Sequence, residues 1–139
     1  IRFRKEHPVL HRSEPLRMID YKACGLPDLS YHGSTAWLAE SGSLKAAFAV
    51  LYSGAYARKK DGSEDDTMYI LYNMYWQEQE FALPEPPAGK EWTVKADTSL
   101  TGGFYDDGKE PPIQSDSETK TVTVSPRSIC ILTAGKKKK

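Results

Sequence analysis

Hydrophobic residues crowd most densely at residues 67–76, where aromatic and branched side chains follow one another almost without a break. Such density suits a pleated, buried surface better than a helix. In a strand, Met68, Ile70, Tyr72, Met74 and Trp76 point one way; Tyr69, Leu71, Asn73 and Tyr75 point the other. Both sides are largely apolar, which predicts a central strand covered on two faces. Asn73 interrupts the pattern, and a buried amide there must find hydrogen-bond partners.

The flanking segments alternate in the same way. Over residues 44–53, Leu44, Ala46, Phe48, Val50 and Tyr52 line one face, while Lys45, Ala47, Ala49, Leu51 and Ser53 line a more mixed one. Gly42 and Gly54 on either side favour strand over alanine-rich helix. A short strand at 79–83 stops at Pro84. Residues 92–96 place Trp92, Val94 and Ala96 inward, and two last strands, 120–124 and 128–133, surround a turn at Pro126. Residues 55–66 form a charged hairpin loop with Asp61 and Gly62 as its turn pair. The stretch 100–118 is rich in Gly, Asp, Pro and Ser; its length predicts a mobile connection, or one ordered only against a partner.

At the other end, residues 1–12 look like the close of a helix, broken at His7 by Pro8, with Pro8 opening a further turn at Val9 and Leu10. A linker follows to Ser30, with a short strand expected at 16–21 and a loop at 24–30. An aromatic cluster then surrounds Gly33, and a polar turn occupies 40–43. Short alternating strands at turn-marked spacing define an all-β fold, an antiparallel β-sandwich of Greek-key type. No internal repeat is visible.

Composition narrows the function. A chain of 139 residues, 39% hydrophobic, is one domain with a core of its own. Nineteen basic residues balance nineteen acidic ones, so the basic surplus of a general nucleic-acid binder is missing. There is neither a membrane-length apolar run nor a signal-peptide pattern. Cys24 and Cys130, far apart and without metal-ligand spacing, indicate no disulfide framework and a reduced, cytoplasmic setting. The chain opens on Ile1 inside a charged amphipathic segment, which suggests a piece of something longer. The lysines from Lys136 to Lys139 read as a tail and not a site.

Candidate chemistry is sparse. His7 and His11 are four apart with Pro8 between them and no carboxylate set close in sequence, so a metal site is not expected. The charged loop lacks the distant Glu that closes a calcium loop. His32 and Ser34 are close, but no nucleophile elbow surrounds any serine. Asp65, Asp66, Asp106 and Asp107 sit beside charged neighbours, as solvated acids do. No glycine loop for phosphate and no cofactor motif is present. The open lead is aromatic: Tyr31, Trp37, Trp76 and Trp92 would each suit stacking on a sugar ring. The alternative is that these rings fill the core or an interdomain seam.

At this point a family comes into view. Residues 25–33 (Gly-Leu-Pro-Asp-Leu-Ser-Tyr-His-Gly) with Trp37, then Tyr72, Asn73, Tyr75 and Trp76, Phe81 to Pro84, Trp92, and Asp97 with Thr98 resemble the C-terminal end of bacterial glycogen debranching enzymes. These are the isoamylase and pullulanase-like members of the α-amylase superfamily. Arg4 to Pro8 is similar to the close of the last helix of their catalytic barrel. The resemblance implies a division into 1–30 (end of a barrel helix and linker), 31–135 (C-terminal sandwich) and 136–139 (tail). It implies that the chain itself is inert, because the barrel with its catalytic carboxylates is elsewhere. The parent would be a glycoside hydrolase of glycogen catabolism cutting α-1,6 branch points. Its barrel would be this domain's partner, with Tyr31, His32, Trp37, Asn73 and Trp76 near the seam. The alternative is an α-glucan-binding module stacking sugar on Trp37, Trp76 and Trp92. Neither reading invokes a metal, cofactor, nucleic acid or membrane.

Overall fold

The computed structural model describes residues 1–33, 35–38, 46–116 and 119–136, with the backbone alone over 114–116. Ser34, the turn expected at 40–43, Leu44, Lys45 and the last three lysines lie outside the described residues.

The dense stretch becomes β3 (Thr67–Asn73), the middle strand of a five-stranded sheet. β1 (Leu29–His32) and β2 (Ala47–Tyr52) lie on one side of it; β8 (Ser128–Lys136) and β5 (Lys90–Asp97) lie on the other. A smaller sheet runs β4 (Gln79–Ala82), β7 (Thr119–Val124), β6 (Gln114–Asp116). Every pairing is antiparallel. The main core lies between the sheets, where Phe81, Leu83 and Val124 meet Leu51, Tyr69, Leu71, Trp92, Val94, Cys130 and Leu132. The sandwich is the architecture the alternation predicts.

Several local expectations change. β2 buries Ala47, Ala49 and Leu51 in the core, the face that reads as more mixed, and turns Phe48 outward. The alanines face inward because their neighbours there are large. Leu51 pairs with Tyr69, Ala49 with Leu71 and Ala47 with Asn73, and all three share the core with Phe81 and Trp92. A bulge between Val94 and Ala96 sets Ala96 opposite Ile131, so it leaves the face shared by Trp92 and Val94. Residues 16–21 form no strand; β1 begins instead at Leu29, inside the expected loop.

The long connection is tied down over its described length. Tyr105 and Ile113 pack on the core, Phe104 bridges to Ala96, and Lys95 Nζ donates to Glu110 Oε1 at 2.8 Å. That bond, with the Gly108 amide, holds the Glu110 carboxyl down to about 2.

The N-terminal segment forms α1 (Arg2–Glu6) and then a 3₁₀ turn at Pro8–Leu10, with Pro8 in its first position. It lies on the outer face of the large sheet. There Val9, with Phe3 and Leu10, packs against Met68, Ala57, Tyr52 and Ile131 in a second small core.

Candidate functional site

The sequence motif around Gly33 folds around one buried imidazole. His32 is fully buried and accepts the Trp37 amide on Nδ1 at 2.7 Å. The proton of the neutral ring therefore sits on Nε2, which donates to Ser30 Oγ at 2.8 Å. Burial lowers its pKa from 6.5 to about 4. A ring that donates to a serine from Nε2 and is reluctant to take a proton is not poised to activate that serine. His32 instead shapes the loop that presents Trp37, whose backbone is left-handed at φ 66° and whose ring packs 4.5 Å from the imidazole. Trp37 remains 50% exposed.

Asn73 is buried too, and its amide is satisfied internally. Nδ2 donates to the carbonyls of Gln77, Val124 and Ser125, while Oδ1 accepts the Tyr75 amide. It joins the end of β3 to the turn after β7, across the sandwich. Trp92 is buried and donates Nε1–H to the Pro84 carbonyl at 2.8 Å. Of the residues expected at a seam or sugar platform, Tyr31, Trp37 and Trp76 therefore offer surface. His32, Asn73 and Trp92 do not, because their polar atoms and rings are spent inside. Trp76 is 62% exposed just beyond the end of β3.

The register joins the residues that alternate outward along these strands into one surface. On the outer face of the large sheet, Tyr31 lies beside Val50, Ile70 and Ile131, and Phe48 lies beside Tyr72 and Ile129. Phe48 and Tyr72 stack with ring centres 4.7 Å apart. α1 and the 3₁₀ turn cover the Met68 end of this face, whereas Tyr31 and Phe48 remain 48% and 37% exposed. Val50 and Ile70 at its centre are already buried, so the apolar surface left to solvent is made by Tyr31 and Phe48 with the half-buried Tyr72 and Ile129 around them.

Two buried carboxylates pin the N-terminal segment. Asp65, expected to be a solvated loop acid, is fully buried and accepts from His7 Nδ1, the Val9 amide and the Asp66 amide, each at 2.8 Å. Burial pushes its carboxyl up, but these donors outweigh it and hold it below the ordinary range. Asp28 accepts from the Arg17 and Met18 amides and from Arg12, and it too is held low against its burial. His7, Asp65 and Asp66 come close enough to suggest metal ligands, bringing to His7 two carboxylates from far along the chain. Yet Asp65 is engaged by three protein donors, and Lys59 Nζ sits 3.3 Å from Asp66. The cluster is a latch between segments. Cys24 is exposed and Cys130 buried, both as free thiols, and burial raises Cys130 to about 12. Among the described residues, no helix is long and apolar enough to cross a membrane.

A family model described as isoamylase, C-terminal, matches residues 35–133. No curated protein matches the chain.

Proposed function

This chain belongs to the isoamylase C-terminal domain family, and from that premise we propose that it packs against and stabilises the α-1,6-glucan-hydrolysing barrel of a glycogen debranching enzyme. In this reading it is non-catalytic and cytoplasmic. Residues 1–30 close the barrel and cross to the sandwich at 31–135. The observation that carries the docking role is the outer face of the large sheet, where Tyr31, Phe48, Tyr72 and Ile129 continue the apolar surface already covered at one end by α1. A barrel that ends in α1 would lie on that side. Full burial of a large side chain from water contributes about 1.5–3 kcal/mol, and Tyr31 and Phe48, already more than half covered, would gain about half of that or less on docking.

The test is a Phe48→Ser, Tyr31→Ser pair of substitutions in the parent enzyme and in this chain alone. Docking predicts a lower melting temperature for the parent's catalytic domain, with little change in the isolated chain. Equal losses in both would remove the docking role, and hydrolysis of branched glucan by this chain alone would remove the non-catalytic one.

A second reading, an α-glucan-binding module, is favoured by the exposed indoles of Trp37 and Trp76. It predicts saturable binding of branched malto-oligosaccharides that is lost in Trp37→Ala or Trp76→Ala. Absence of a tryptophan fluorescence change at millimolar sugar would dismiss it.

A further inference from the structure

The cleft between the N-terminal segment and the 3₁₀ turn at Gly54–Tyr56 plays no part in either reading above. It is open to solvent and encloses about 460 Å³, within the range of small-ligand sites. One wall is the Arg12 guanidinium, whose side chain is only 10% exposed. It is fixed in place by donating from Nη1 to Asp28 at 3.3 Å and from Nη2 to the Tyr21 hydroxyl at 2.9 Å. Nη2 also lies 3.8 Å from the Glu14 carboxylate, a long pairing with a side chain 70% exposed, and these contacts together engage only part of a five-donor fork.

Charge decides what kind of ligand suits it. Asp28 offsets Arg12, but Lys22 and Arg58 also line the cleft, and Glu14 is its one acid. Lys22 Nζ is bonded to a neutral carbonyl, that of Ala55. Arg58 meets Glu64 only at 3.9 Å, with both side chains about half exposed, a pairing worth little. The aromatic lining argues against a neutral sugar. Tyr21 already carries the Arg17 guanidinium over its ring at 4.4 Å, and Tyr56 is buried beneath Lys22 and Arg12. Neither ring has an open face for stacking.

We propose that this cleft binds a small oxyanion, the phosphate of a phosphate ester or a carboxylate, on the Arg12 fork with Lys22 and Arg58 closing around it. A planar guanidinium held by packed partners matches either group, and charge-assisted bonds to it are the stronger kind.

The experiment is an amide NMR titration of this chain with inorganic phosphate and, separately, with acetate, both at constant ionic strength. Saturating shifts confined to residues 11–14, 21–22 and 56–58 are expected, and the tighter of the two probes identifies the group preferred. Lys22→Gln with Arg58→Gln removes two exposed charges without touching the Asp28 cluster, and is expected to weaken binding about tenfold or more. Shifts that spread over the surface without saturating would overturn the proposal. So would unchanged affinity in the double variant.

Discussion

Tyr69 lies at the centre of the sandwich, and its hydroxyl is buried with no hydrogen-bond partner among the described residues. Burial raises its pKa accordingly. An orphaned hydroxyl costs about 1–3 kcal/mol, so Tyr69→Phe is expected to stabilise the chain, seen as a higher urea midpoint at unchanged m. A lower midpoint would mean that the hydroxyl has a partner in solution. His32, next to it in an edge-on contact at 5.2 Å, makes the opposite case, a buried polar group fully used. Its pKa of about 4 lies below the unfolded value of 6.5, so the unfolded chain takes up the proton first. Stability is therefore complete above about pH 6.5 and falls by at most about 3 kcal/mol as the pH drops towards 4. The Asp28 and Asp65 contributions have the carboxylate sign: present above 3.8, and lost only as the pH falls through their lower folded values. Denaturation midpoints taken at intervals from pH 7 to 4 would show the first slope. An ordinary His32 titration by NMR would refute it.

At the scale of elements, the strands were legible wherever both faces carried a signal. β3 reads correctly over Thr67–Asn73 because a central strand is apolar on both sides, but it stops before Met74, Tyr75 and Trp76, onto which the pattern ran; Asn73 reads correctly as a buried amide needing partners. β2 shows where periodicity stops: it gives two faces without saying which is inner, and that choice depends on the partners that other strands bring to the core. The aromatic residues of the candidate surfaces could be named from sequence, but whether each was free could not. Trp92 and Trp37 look alike until the Pro84 carbonyl and His32 are placed beside them. Gly54 is a case that no turn rule would find. Its backbone angle is ordinary, yet a Cβ there would run into the Asp65 backbone carbonyl, and its amide donates to Thr67 Oγ1. Gly54→Ala is expected to cost about 3 kcal/mol by forcing the 3₁₀ turn away from the start of β3. A melting temperature within a degree or so of the parent's would show that the turn gives way freely.

Across the whole molecule, the least regular third of the fold is held by its best-satisfied charges. His7 and Asp65 are 58 positions apart, and Asp28 reaches back to Arg12, Arg17 and Met18. No local window along the sequence joins His7 to Asp65, which is why Asp65 reads as a solvated loop acid. The consequence is mechanical. A segment with one short helix is fastened at two points, through Asp65 and through Asp28, beside the outer face of the large sheet. Asp65→Asn retains the size of the side chain but turns one acceptor into a donor facing the Val9 amide or His7, at a cost of about 3 kcal/mol. That loss should be local. In amide hydrogen exchange, the amide of Val9 should lose protection strongly while those of Leu71 and Leu132, in the middle of the sheet, change only by the loss of global stability. Uniform acceleration across all three would mean that the latch is part of the cooperative core. Unchanged exchange at Val9 would mean that the apolar contacts of Phe3, Val9 and Leu10 hold the segment without it.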